Sequence, residues 1–207
     1  KSLGEKKMFH KINMEKWPRK EWFVHYTKEV PCTFSTVSLI DITHIKKKGY
    51  GVYPALLWAL SATVNKFEEF RTCKDKDGNL GYYDMLWPSY TVFNEERKTF
   101  SVAWTEYDVD FGVFFNRYKS DSAAAKKAET FYAKPLTDNV FSVSMDPWTR
   151  FTGFNLNLPE GGDYFLPIFT AGRYEEQNGR ITLPLAVQVH HAVCDGYHAV
   201  SYTHLRA

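Results

Sequence analysis

Two adjacent histidines, His190 and His191, close the alternating run "LPLAVQV", and an Asp-Gly pair, Asp195 and Gly196, follows after a gap of three residues. An imidazole can take a proton from a hydroxyl near neutral pH, and its tautomer can be fixed by a partner on the other nitrogen. Strand alternation puts Ile181, Leu183, Leu185, Val187 and Val189 on one face. Continued alternation places His191 with them and His190 with Gln188 on the other face, so the two histidines are not equivalent. Adjacent side chains on opposite faces converge poorly on one ion, and no metal site is expected. Two plainer uses compete. A core histidine satisfied by backbone is the usual fate of a lone His, and Asp195 can serve as the N-cap of a helix beginning at Gly196. The combination of His-His, three-residue gap and Asp-Gly arises by background usage in only about one in several thousand chains of this length. It therefore carries more weight than any of its members alone.

The elements that must position these residues are legible in outline. "MEKWPRKEWFVHY" reads as a helix with Pro18 near its start, "TFSTVSLIDIT" as a strand, and Pro54 opens a second helix. In that helix Leu56, Leu57, Leu60, Val64 and Phe67 recur at helical spacing and predict one buried face. Asp77-Gly78 separates "RTCK" from "LGYYD", and "SYTVF" and "TFSVAW" flank a charged loop, which is the pattern of antiparallel pairing. Two polar segments, from about Asp108 to Tyr118 and from Ser122 to Tyr132, predict two helices before the strand "NVFSVSM". Asn178-Gly179 is a hairpin signal joining "YFLPIFTAGRY" to "ITLPLAVQVH". The pattern predicts an α/β fold, with a sheet of at least six strands covered by helices on one face.

The totals narrow the function classes. With 207 residues, 44% of them apolar and 17% aromatic, the chain can bury one large core, and no repeat or linker divides it. A formal charge of +2 and a single short basic run, Lys46 to Lys48, argue against nucleic acid as a partner. Cys32, Cys73 and Cys194 are odd in number and lack Cys-x-x-Cys spacing, so they suit a reducing cytoplasm rather than a disulfide framework or a zinc knuckle. No stretch approaches the roughly 20 apolar residues of a membrane span, and "KSLGEKK" is not followed by the apolar region of a signal peptide. Opening on Lys1, the chain leaves its true start open.

"QVHHAVCDGYH" resembles the active-site segment of the chloramphenicol acetyltransferase family. The likeness runs on through "WPRKEWF", "VPCTFS", "YPALL", "PSYTVF", "ETFYAKP", "VSMDPWTRFTGFNLNL", "YFLPIFTAGRY" and "LPLAVQV", from about Phe9 to Ala199. Dihydrolipoyl acyltransferases and peptide-synthetase condensation domains also carry His-His-x-x-x-Asp-Gly; the short length and "DPWTRFTGFNLNL" favour the first family. The resemblance implies a two-layer α/β sandwich of the CoA-dependent acyltransferase type, with a mixed, mostly antiparallel sheet. It implies one acetyltransferase domain over residues 1–207, with 1–8 and 200–207 outside the likeness. Family members continue past the motif with an amphipathic helix, whereas this chain ends on Tyr202 to Ala207, which leaves an artefact of cloning or a truncation as the expected origin of the tail.

The activity so implied is acetyl transfer from acetyl-CoA to chloramphenicol, without metal or prosthetic group, in a cytoplasmic homotrimer with active sites at its subunit interfaces. His191 matches the family's base and Ser144, in "VSMDPW", its oxyanion donor. Thr170 matches a threonine that holds a water, and Arg19, in "WPRKEW", matches an arginine that pairs with Asp195 in a buried ion pair. Tyr26, Phe34, Phe100, Phe131, Leu156 and Leu158 match positions lining the drug pocket. Without the family each of these residues has an ordinary reading, as strand, core or N-cap. Cys194 has no nucleophilic role in the pattern, and a small buried side chain is its plain use. Two rivals remain: a related acyltransferase with another acceptor, and a non-catalytic drug-binding homologue.

Overall fold

Nine alternating residues of β2 (Thr33–Asp41) pair antiparallel with nearly the full length of β10 (Arg180–His190) and so set the register of the strand that ends in the histidine pair. The computed structural model describes residues 8–158 and 163–199. Before β2 come β1 (Phe9–Lys11) and α1 (Lys20–Val24), which runs into a π-helical turn over His25–Glu29. After it follow α2 (Thr43–Lys48), α3 (Val52–Val64), β3 (Thr72–Lys74), β4 (Leu80–Tyr83), β5 (Trp87–Asn94), β6 (Thr99–Trp104) and α4 (Phe111–Lys127). Next are β7 (Val140–Met145), β8 (Ile168–Ala171) and β9 (Glu175–Gln177), and α5 (Gly196–Ala199) follows β10. The main sheet has the order β2-β10-β8-β7-β5-β6, with β9 hairpinned onto β10 through Asn178 and Gly179, both at positive φ. Its β5–β7 and β7–β8 pairs are parallel and the rest antiparallel. A smaller sheet, β1-β4-β3, carries the Asp77-Gly78 turn.

Register divides the main sheet into two unlike faces. Leu183, Leu185, Val187 and Val189 share one face with Phe169, Val143, Phe141 and Tyr90, all buried. Helix α3 covers this face with Leu56, Leu57, Leu60 and Val64, and its Tyr53 meets Tyr90 edge-on at 5.9 Å. That burial, at about 1.5–3 kcal/mol for each large apolar side chain, stabilises a 13-residue helix that would be marginal alone. Pro54 fits its first turn, where no intrahelical donor is lost. The other face carries Thr170, Ser142, Ser144, Thr91, Phe93, Phe100 and Val102. It is the mixed, mostly antiparallel two-layer α/β arrangement, with helices on one side.

Two expectations need correction. The helices expected over 108–118 and 122–132 are one helix, α4, capped by the Asp110 carboxylate on the Val113 N–H at 2.9 Å. No Gly or Pro interrupts Tyr118 to Ser122, and Asp121 points inward to Thr105 and Lys134, so polar residues there do not break the turn. The helix stops at Lys127, and Phe131 and Tyr132 lie instead along β6, where the Val102 N–H donates to Phe131. The first helix is also shorter and later than expected, because residues 14–16 and 18–19 are turn and helix begins only at Lys20. The tail from Val200, and residues 1–7, lie outside the described residues.

Candidate active site

Strand β10 ends at His190, and the chain turns there because the Val193 and Cys194 N–H groups both donate to the His190 carbonyl, at 3.1 and 3.0 Å. His190 is 1% exposed; its Nδ1 accepts from the Ala192 N–H at 3.1 Å and its ring meets Phe165 edge-on. It is the backbone-satisfied core histidine. His191 is placed differently. Its ring stacks on Tyr26, with centroids 4.0 Å apart and planes 5° from parallel, and tilts against Phe34 at 5.1 Å. Its side chain is 31% exposed, its Nδ1 is buried without a hydrogen-bond partner, and Asp195 Oδ1 lies 3.4 Å from that nitrogen. The unpaired polar atom is held within the carboxylate's field, an arrangement that favours the proton on Nδ1 and leaves a lone pair on Nε2.

Arg19 binds the turn as a fork. Its guanidinium donates to both Asp195 carboxylate oxygens at 2.7 Å, to the His191 carbonyl at 3.0 Å and to the Ala192 carbonyl at 2.9 Å. Four donors on four acceptors fix the backbone under His191 as no lysine could. The pair is less buried than expected: Arg19 is 15% exposed and Asp195 40%, because the carboxylate lies at the rim of an open cleft lined by Trp17, Trp22 and Glu69. Hydrogen bonds from Arg19 hold the Asp195 carboxyl below its usual range, against an opposing effect of burial. Burial works against the Arg19 charge too, and Asp195 outweighs it, raising the guanidinium. Asp195 precedes α5 as expected, but its carboxylate is committed to Arg19 rather than to the helix. Burial pushes the Cys194 thiol up, away from any thiolate chemistry.

Ser144 and Thr170 face one another across β7 and β8, with hydroxyl oxygens 3.1 Å apart. They do not meet His191 within the chain. Thr170 pairs with Ala186, five residues before His191 along β10, a separation of ~17 Å at the usual strand rise. They also belong to the open face, whereas His191 packs with Phe34, whose partner Val189 is on the helix-covered face. Phe100 and Phe131 touch each other at 5.8 Å, about half-exposed, at the edge formed by β6. That edge is four strands from β10, or ~19 Å. The aromatic pocket candidates thus form two groups, Tyr26 and Phe34 beside His191, and Phe100 and Phe131 across the sheet.

Leu156 is 42% exposed and Leu158 half-buried, on an irregular segment over the open face. What holds Leu156 there is Gln188, a residue the sequence placed only by strand parity. Its side chain is 5% exposed; Oε1 accepts from the Leu156 N–H at 2.6 Å, and Nε2 donates to the Leu156 carbonyl at 2.8 Å and to Thr33 at 3.3 Å. A polar residue inside the otherwise apolar run Leu183–Val189 was the available signal. Among the described residues no three His, Cys, Asp or Glu side chains converge as a metal site.

Comparison with known proteins finds the same fold in solved structures. A solved chloramphenicol acetyltransferase superposes with a TM-score of 0.83 at 23% identity, covering 95% of this chain and 96% of that one. The cubic core of a pyruvate dehydrogenase multienzyme complex superposes at 0.64 and 19% identity, over 87% and 82%. The chain belongs to the chloramphenicol acetyltransferase family, whose model matches residues 7–204, and it is an acyltransferase. Relatives bearing that name are 50% identical over 192 residues in Clostridium perfringens, covering 92% of this chain and 93% of theirs. In Campylobacter coli the identity is 47% over 195 residues, covering 94% of both.

Proposed function

We propose that the protein transfers the acetyl group of acetyl-CoA to a hydroxyl of chloramphenicol, as a single-domain subunit of a cytoplasmic homotrimer. His191 Nε2 takes the hydroxyl proton, the freed oxygen attacks the thioester carbonyl, and the C–O bond forms. The resulting oxyanion accepts a hydrogen bond from the Ser144 hydroxyl, which Thr170 orients directly and through a bound water. Collapse breaks the C–S bond, and the CoA sulfur leaves with the proton that His191 returns. Stacking on Tyr26 and the Arg19 fork hold the imidazole while its Nε2 edge stays open. No group on the protein is acetylated, and no metal is required by these steps.

The observation that carries the reading is the clamped His191, with its carbonyl, the next carbonyl and Asp195 all bound to one guanidinium. The ~17 Å along β10 from the Thr170 register to His191, and the sheet that further separates His191 from Ser144, support a site completed by a second copy. In that arrangement His191 of one subunit faces Ser144, Phe100, Phe131, Leu156 and Leu158 of the next, and Tyr26 and Phe34 flank the histidine. The test is to mix the purified protein with acetyl-CoA and chloramphenicol and follow thiol release. Release dependent on the drug is expected. Release only with another alcohol would move the acceptor, and drug binding with no release would make the protein a non-catalytic homologue.

A further inference from the structure

His198 closes the stretch that begins at Leu183, and neither the base, the oxyanion donor nor the pocket accounts for it. Its Nδ1 accepts the Asp195 N–H at 3.1 Å. The bond is the one an N3 carboxylate makes to the N-cap N–H of a helix, supplied here by an imidazole three residues on. An accepting Nδ1 places the ring proton on Nε2, and that nitrogen lies 3.5 Å from Glu69 Oε1. The ring is largely buried, with the side chain 16% exposed. Glu69 reaches the same turn a second time, through its carbonyl, which accepts from the Cys194 thiol at 3.6 Å.

We infer that His198 is a positioning residue for acetyl transfer: it fixes the Asp195 backbone so that the Asp195 carboxylate presents both oxygens to Arg19, and Arg19 in turn holds the carbonyl of His191. The inference rests on the acetyltransferase reading. The path contains a hydrogen bond or charge contact at each link: Glu69 to His198, His198 to Asp195, Asp195 to Arg19, Arg19 to His191. His198 touches neither His191 nor Ser144 in the structure's hydrogen bonds, so its effect is on the aim of the base and not on the chemistry itself. Loss of the Nδ1 acceptor frees the Asp195 N–H, loosens the carboxylate and lets the His191 turn drift, and a small misplacement of a base costs turnover more than binding.

The test compares His198→Ala with His198→Asn, whose amide oxygen can occupy the place of Nδ1. Thiol release is measured well below each variant's own melting temperature. His198→Ala is expected to lower kcat about 5- to 10-fold, the loss tied to one hydrogen bond, with KM for both substrates within about 2-fold. His198→Asn is expected to stay within about 2-fold of wild type. In an Asp195→Ala background the further loss from His198→Ala should fall below about 2-fold, because the path is already cut. Equal loss in the Ala and Asn variants, additive losses with Asp195→Ala, or an unchanged kcat in His198→Ala would each overturn the inference. Amide hydrogen exchange at Asp195 supplies a readout apart from turnover: faster in His198→Ala and restored in His198→Asn is expected, and no change contradicts the proposal. Wild-type protein that releases no thiol would sink the acetyltransferase reading, and the exchange result would still decide whether His198 anchors Asp195.

Discussion

The two histidines of the motif differ in what their rings touch. His190 spends its Nδ1 on a backbone N–H and its ring on Phe165, whereas His191 keeps one edge open and lies flat on Tyr26. His191→Ala should therefore abolish turnover in the thiol-release assay, by at least ~10²- to 10⁴-fold as for a lost general base, while acetyl-CoA binding by calorimetry stays near wild type. Ser144→Ala should cost about 100-fold in kcat with little change in KM, since an oxyanion donor acts on the transition state. An Asp195 variant reads out through acid stability. The Asp195 carboxyl is held below its ordinary value, so its contribution is complete above the unfolded pKa of about 3.9 and is lost as pH falls through the lower folded value. Melting temperature measured from about pH 5 down to pH 2 should fall less steeply for Asp195→Asn than for wild type. The difference should be small, because the carboxylate is 40% exposed and solvent screens it.

At the scale of elements, the segment carrying Leu156 and Leu158 has no strand or helix of its own and depends on the Gln188 amide. Gln188→Leu keeps the shape and removes that hold. It should raise KM for chloramphenicol about 5-fold or more while KM for acetyl-CoA stays within about 2-fold, as checked by initial rates. Strand periodicity was strong enough in the sequence to place Leu183, Leu185, Val187 and Val189 on one face and Gln188 with His190 on the other. It could not say that Gln188 would reach a loop 32 residues earlier, since that contact is set by tertiary folding. Helix α4 shows the opposite failure. The sequence predicted separate helices over 108–118 and 122–132, yet Thr105 and Lys134 satisfy Asp121 inside the fold, and one helix runs through to Lys127. Arg19 and Asp195, separated by 176 positions, were joined by the family likeness; propensity and spacing carry no trace of the pairing.

At the scale of the whole chain, the groups of the proposed site lie apart. Register puts Ser144 and Thr170 on the open face in the middle strands, and the turn after β10 puts His191 beyond the strand end on the helix-covered side. No side-chain rotation spans ~17 Å along the strand and the sheet between, so the proposed chemistry requires a neighbouring copy to supply the oxyanion donor. A homotrimer with closed cyclic symmetry gives every histidine such a neighbour. The direct measurement is complementation: chains carrying His191→Ala and chains carrying Ser144→Ala are mixed in equal amounts, unfolded, refolded together and assayed, with native mass measurement to establish mixed trimers. A site shared between subunits predicts recovery of about a quarter of wild-type turnover, the fraction of interfaces that join an intact histidine to an intact serine under random assembly. Turnover no higher than the mean of the two variants, in trimers shown to be mixed, would place both groups at work within one subunit and contradict the account.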